Sequence, residues 1–296
     1  MFDDVKQRPT AVVTGGGQGL GQATVRRFVA AGWQALILDT NAGPAQELQG
    51  ELGDQIVQVI ECDVSSTQSV DDAIREVVRH VDAVDCVVNN AGIVRPAPSH
   101  DTADSDWELL LGVHLGGTMR VSRACLPLLA GSAAPAVVNI SSVCAQLGFP
   151  GRLSYNAAKA GIEAMTQTLA VEWGQLGIRV NAAAPGFIMT DNSRELYERG
   201  VADASARVEA TPLMRLGKPQ EVAEAVFWPG TSSSSFVTGQ VLAVDGGYLV
   251  DVRTGPDPTC RSAQQQVEEA TARLSGTAGL DARAVSNCDK YPEGNG

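Results

Sequence analysis

Tyr155-Asn156-Ala157-Ala158-Lys159 sets a phenol and an ammonium at i and i+4, on one face of a helix. A phenol with a pKa near ~10 is a poor base at neutral pH. A fixed cation nearby favours the phenolate, so Lys159 is expected to lower the Tyr155 pKa and make it a usable general acid/base. Ser142 precedes the pair at the C-terminal end of a strand-like run, the edge at which open α/β sheets bind ligands. Its hydroxyl is expected to hold and polarise a substrate oxygen.

A second constellation handles phosphate. Thr14-Gly15-Gly16-Gly17-Gln18-Gly19-Leu20-Gly21 stands between a strand-like run and a helical one. Glycines there let the backbone turn sharply against a pyrophosphate, and the helix N-terminus supplies free N–H groups and a positive dipole end. Gly15, Gly17, Gln18, Gly19, Leu20 and Gly21 are therefore expected to hold a dinucleotide. No Walker lysine follows, which argues against a nucleoside triphosphatase. Asp39 closes the second apolar run, where a carboxylate accepts from both ribose hydroxyls and repels a 2′-phosphate. Thr40, Asn41 and Gln18 bring no cation to clamp such a phosphate. The expected cofactor is NAD(H) rather than NADP(H).

Short runs rich in Val, Ile and Leu must position these groups. They cover residues 10–14, 35–39, 56–61, 84–89, 136–141, 178–184 and 240–244, with amphipathic segments between them at 20–31, 69–80, 106–129 and 157–173. This pattern predicts an α/β fold: a doubly wound, Rossmann-like sheet of seven parallel strands covered on both faces. Gly32 and Gly177 fit helix-ending positions. The pattern stops near residue 250, giving one domain over 1–251. A polar, Gly- and Pro-rich extension follows over 252–296, with one helical candidate at 263–274, and reads as a loose tail.

The chain has 296 residues, and its net charge of −12 opposes nucleic acid or an anionic membrane as partner. With no long apolar span and no basic leader, a cytoplasmic location is expected. Neither the three histidines nor the six cysteines are spaced for a metal, so none is expected. Cys62, Cys86, Cys125 and Cys144 read as reduced core thiols; Cys260 and Cys288 lie in the extension.

Together these motifs resemble the short-chain dehydrogenase/reductase family over residues 8 to about 250. Besides the glycine turn and the Tyr-Lys pair, Asn89-Asn90-Ala91-Gly92 matches the family signature that steadies the sheet beside the cofactor. Asp63-Val64 matches a pair whose Asp contacts adenine. Pro185-Gly186 and Phe187-Ile188-Met189-Thr190 match a loop whose Ile backbone and Thr side chain hold the carboxamide. The resemblance thus implies that Asp63, Val64, Asn90, Ala91, Gly92, Tyr155, Lys159, Pro185, Gly186, Ile188 and Thr190 also touch the cofactor. It implies reversible hydride transfer between a secondary alcohol and a ketone, and a homotetramer.

Two residues depart from the family pattern. His114 stands where the family has an Asn that completes a tetrad with Ser142, Tyr155 and Lys159. It either keeps the proton relay through its imidazole or is a helix histidine satisfied by backbone. Pro229, near a helix end, is expected to shorten that helix. Cys144, Gln146, Phe149, Phe187 and Arg95 are expected to face the substrate, with Val94 and Met189 beside them. Residues 192–210 form the expected lid, bringing Arg194 and Tyr197 inward. Two other readings compete: a 3-oxoacyl thioester reductase of the same fold, which Asp39 and the acidic surface oppose, and a non-catalytic NAD sensor, which would need none of Ser142, Tyr155 or Lys159.

Overall fold

The computed structural model describes residues 8–200 and 203–251, together with Thr271. Seven strands form one sheet: β1 (Thr10–Thr14), β2 (Gln34–Asp39), β3 (Ile56–Glu61), β4 (Cys86–Asn89), β5 (Ala136–Ile140), β6 (Arg179–Pro185) and β7 (Val241–Val244). Their order is β3-β2-β1-β4-β5-β6-β7, and every neighbouring pair is parallel. The expected doubly wound sheet is thus present, with strand ends within two residues of those read from the sequence.

Strand periodicity divides the core. Val12, Leu36, Val87 and Val137 face one apolar layer, and Val13, Ile37, Val88 and Val138 face the other. Helices α1 (Gly19–Ala30), α2 (Ala42–Leu52) and α9 (Pro219–Gly230) cover the second layer. Fully buried Phe28 of α1 meets Trp33 and Phe227 edge-on, at 5.0 and 5.1 Å between ring centroids. Helices α3 (Thr67–Val78), α5 (Gly117–Ala130) and α6 (Leu153–Trp173) cover the first. Gly32 and Gly177 adopt positive φ just past α1 and past the short turn that follows α6.

The amphipathic segment at 106–129 is not one uniform helix. Helix α4 (Asp104–Leu111) passes into a π-helical turn, Gly112–Gly116, before α5 begins. Small residues permit the wider turn: a Cβ on Gly117 would come within 2.7 Å of the Val64 side chain. Arg120 reaches back and donates to the Gly112 carbonyl at 3.0 Å and to that of Val64 at 3.2 Å. At the other end of the fold, Pro229 is the penultimate residue of α9, and its carbonyl, in the helix's last turn, accepts from buried Arg179 at 2.7 Å. Arg179 also donates to Thr231 and Ser234, joining the start of β6 to the end of α9.

Helices α7 (Asp191–Glu198) and α8 (Ala204–Glu209) complete the described elements over the expected lid. No described helix is long and apolar enough to cross a membrane. Apart from Thr271, the extension, its helical candidate, Cys260 and Cys288 lie outside the described residues.

Candidate active site

The sheet order reverses between β1 and β4, which opens a crevice at their C-terminal ends. The glycine turn follows β1 there. Gly15 and Gly19 adopt φ of +61° and +55°, which side chains disfavour. Gly21 is closest-packed: a Cβ would lie 2.0 Å from the Gly15 carbonyl oxygen. Helix α1 then starts without a side-chain cap, so its first N–H groups are left for a ligand.

Asp39, at the end of β2, accepts from the Gly17 N–H and the Asn41 N–H, each at 3.0 Å, through different oxygens. The carboxylate keeps unused lone pairs for hydroxyl donors, and no Lys or Arg among the described residues pairs with it. An anion-ready helix start beside a free carboxylate acceptor fits a dinucleotide.

The end of β4 locks this turn in place. Asn90 donates through its amide to the carbonyls of Thr14 and Gly15, at 2.9 and 3.0 Å, while Asn90 and Ala91 N–H both reach the Thr14 hydroxyl. Buried Asn89 donates to Ser122 and Asn139 at 2.8 and 2.9 Å, stitching β4 to α5 and β5. Asp63 is exposed and accepts from Ser65, and Val64 is buried against Gly117. Across the crevice, Gly186 packs on Asp245, and Thr190 caps α7 through a reciprocal pair of bonds with Ser193. Thr190 faces Gly19, and both border one cavity together with Met189 and Arg194.

The catalytic candidates converge at the same edge. Ser142 follows β5, and its hydroxyl accepts from the Cys144 N–H at 3.2 Å while hydrogen bonding to the Tyr155 phenol. Tyr155 and Lys159 lie one turn apart on α6. Lys159 is 3% exposed, its Nζ donates to the Ile140 carbonyl at 2.6 Å, and the ammonium lies 5.5 Å from the Tyr155 ring centroid.

The electrostatics differ from the sequence expectation. Burial, with the Cys144 thiol, pushes the Tyr155 phenol up to about 12; its bond to Ser142 and the charge of Arg152 pull the other way. The opposing cation is Arg152, not the expected Lys159. Burial also drives the Lys159 ammonium down to about 7, because no carboxylate stands by it.

His114 occupies the π-helical turn, buried, with its ring edge-on to Tyr155 at 5.2 Å. Its Nε2 meets the Ile93 backbone, 2.7 Å from the carbonyl and 3.2 Å from the N–H, and the ring tautomer sets which of the two it bonds. Nδ1 has no partner. Burial, with the Lys159 charge, holds the imidazole down to about 3, so it is neutral at any working pH. The ring lies against Gly92, where a Cβ would meet it at 2.4 Å. The backbone-satisfied alternative describes Nε2, and the relay alternative retains only Nδ1.

A cavity of about 640 Å³ opens beside Ser142 and Tyr155. Cys144, Phe149, Phe187, Val94 and Tyr197 line it, as do Pro185, Gly186, Ile188 and Thr190. Phe149, Phe187 and Tyr248 form an aromatic wall, with ring centroids 5.0–6.1 Å apart. Gln146 and Arg95 are not part of the lining. Gln146 is exposed and reaches Glu163, and Arg95 is exposed and faces Asp106 at 3.6 Å. Sequence reasoning passed over Arg152 and Arg207, both lining residues. The available signal for Arg152 was its place at the start of α6, three residues before Tyr155; Arg207 carries no sequence signal beyond membership of the lid.

Comparison with known proteins places these motifs in company. A family model described as enoyl-(acyl carrier protein) reductase matches residues 15–249. A 3-oxoacyl-[acyl-carrier-protein] reductase of Thermotoga maritima is 35% identical over 246 residues, covering 81% of this chain and 97% of the relative. A galactitol 2-dehydrogenase (L-tagatose-forming) of Cereibacter sphaeroides is 34% identical over 242 residues, with 81% and 94% covered. Among solved structures, that of gox2181 superposes with a TM-score of 0.78 at 31% identity, covering 83% of this chain and 97% of that one.

Proposed function

Since the chain belongs to the short-chain dehydrogenase/reductase family of oxidoreductases, we propose that it interconverts a secondary alcohol and a ketone with NAD(H). The observation that carries this reading is the convergence of Ser142, Tyr155 and Lys159 on one cavity at the sheet edge. NAD rather than NADP is supported by Asp39, which has acceptor capacity and no neighbouring cation to meet a 2′-phosphate.

In this reading the glycine turn and the uncapped start of α1 hold the pyrophosphate, Asp39 the adenosine ribose, and Ile188 and Thr190 the carboxamide. When bound, the nicotinamide supplies the hydride-accepting or hydride-donating carbon. Ser142 fixes the substrate oxygen. In reduction the neutral phenol of Tyr155 donates its proton to the forming alkoxide; in oxidation the carbinol proton passes to the phenolate, which Tyr155 forms by first releasing its own proton to solvent through the open cavity. Lys159 would hold the nicotinamide ribose, and the Ile140 carbonyl fixes the direction of its side chain. The aromatic wall excludes water from one side of the reacting carbon.

The similarity to a 3-oxoacyl-[acyl-carrier-protein] reductase supports a thioester reductase as the second reading. Cofactor choice separates the two, since the proposed reading requires NAD(H) to be preferred. Assembly as a homotetramer is part of the proposal, supported by exposed apolar residues such as Phe236, Val171 and Leu242, and is read by sedimentation. The central test is Tyr155→Phe. Following reduced-nicotinamide absorbance over a panel of secondary alcohols, the variant is expected to lose at least about 100-fold in turnover while still binding NAD. Near wild-type turnover would refute the mechanism, and binding without any turnover in the wild type would favour a sensor.

A further inference from the structure

Arg152 and Arg207 give the cavity beside Tyr155 two guanidinium groups, and no Asp or Glu stands among its described lining residues. Both arginines are half-buried, and neither has an ion-pair partner among the described residues. Arg207 is held in place: it donates to the Tyr197 hydroxyl at 2.6 Å and stacks over the rings of Phe187 and Tyr197, at 5.1 and 5.2 Å. That bond uses one of five guanidinium donors and leaves the others free for a ligand. Arg152 caps α6 without a side-chain bond to the helix, so the uncapped start of α6 adds its dipole to the same place.

Two cations withdrawn from water without a counter-charge cost free energy, which a bound anion offsets. They also sit in a chain of net charge −12, whose general field repels anions, so the attraction is confined to this cavity. The two charges act at the reacting centre, since Arg152 is felt by the Tyr155 phenol and both arginines by the Cys144 thiol.

We propose that the substrate of this site carries an anionic oxygen group, a carboxylate or a phosphate, a few bonds from its carbinol carbon, and that Arg152 and Arg207 bind it. This rests on the dehydrogenase reading for the reacting end of the molecule. It names a substrate class, the hydroxy acid or hydroxyalkyl phosphate and the corresponding oxo compound. The anion fixes the substrate in the cavity while Ser142 and Tyr155 take its hydroxyl.

The test compares 4-hydroxypentanoate and 2-hydroxypropyl phosphate with neutral 2-pentanol, using NAD⁺ and the wild-type enzyme. At least one anion is expected to show a kcat/KM ten-fold or more above that of 2-pentanol, and the better anion identifies the group. In Arg152→Gln and Arg207→Gln the ratio of anion to neutral substrate should collapse towards one. Equal or better use of 2-pentanol, or a ratio unmoved by both substitutions, overturns the inference while leaving the dehydrogenase reading standing. If nothing is oxidised, that reading fails, and calorimetric titration with pentanoate and propyl phosphate decides the inference alone. Binding to the wild type that is lost in the double variant upholds it; no binding to the wild type overturns it.

Discussion

Replacing Lys159 by Met should stabilise the protein, and by an amount that depends on pH. The ammonium is 3% exposed, donates to the Ile140 carbonyl, and is driven by burial down to about 7 from the ordinary 10.5. Between those values the unfolded chain binds a proton that the folded chain does not, so wild-type stability rises with pH across that window. The depression of about 3.5 units corresponds to roughly 5 kcal/mol of destabilisation below pH 7. Leaving the Ile140 carbonyl unpaired in the variant returns about 1–2 kcal/mol. The Met variant is therefore expected to be about 3–4 kcal/mol more stable at pH 6.5, with the advantage shrinking by about 2 kcal/mol between pH 7 and 9. Urea unfolding of both proteins, followed by tryptophan fluorescence without added nucleotide, measures this directly. Only the difference between them matters, because groups that do not feel Lys159 titrate equally in both, and His114, which does, stays neutral in the folded protein across this window. A difference that stays flat with pH, or a less stable Met variant at pH 6.5, would show that burial does not penalise this charge.

Three further outcomes follow from the site. Asp39→Ala should weaken NAD binding about ten-fold and narrow its preference over NADP, measured by fluorescence titration with each nucleotide, because ribose acceptors and an anion-repelling charge disappear together. Gly21→Ala places a methyl 2.0 Å from the Gly15 carbonyl oxygen, so it should abolish nucleotide binding and lower the Tm by several degrees; intact NAD affinity would contradict the packing. His114→Asn should leave the shape of the pH profile of kcat/KM unchanged between pH 5 and 7, since the imidazole titrates near 3. A limb near pH 6 that vanishes in the variant would show that the ring ionises in the working range.

The parts of this protein that follow short-range rules are legible in its sequence. Strand runs such as 10–14 and 56–61 have the lengths and flanks that a buried parallel sheet demands, and they recur with the same bounds. The glycine turn was readable because only glycine tolerates its dihedrals and contacts. Tyr155 and Lys159 were readable because helix periodicity alone puts them on one face. What escaped depends on the third dimension. The π-helical turn arises where Gly117 must pass Val64, a contact between segments far apart in the chain. Arg95 looked like a substrate contact until Asp106 faced it, whereas Arg207 matters through its stacking on Phe187, which no local pattern encodes. The relation between Tyr155 and Lys159 was read as simple attraction between charges. Burial dominates both groups, and burial is a property of the folded surroundings.

The wide turn at Gly112–Gly116 accommodates about one residue more than the α-helical pitch would. One residue is about 100° of rotation, so α4 and α5 are out of phase even though the chain runs through them without a break. A strictly α-helical path would turn the buried stripe of α5, Val121, Cys125 and Leu128, away from the sheet or else carry His114 away from Tyr155. The turn thus acts as a vernier between two demands: the core sets the angle of α5, and the reacting centre sets the angle of the residue just before it. Deleting a single residue here would force the helix to satisfy one and abandon the other. The protein would then keep either its packing or its active site, but not both.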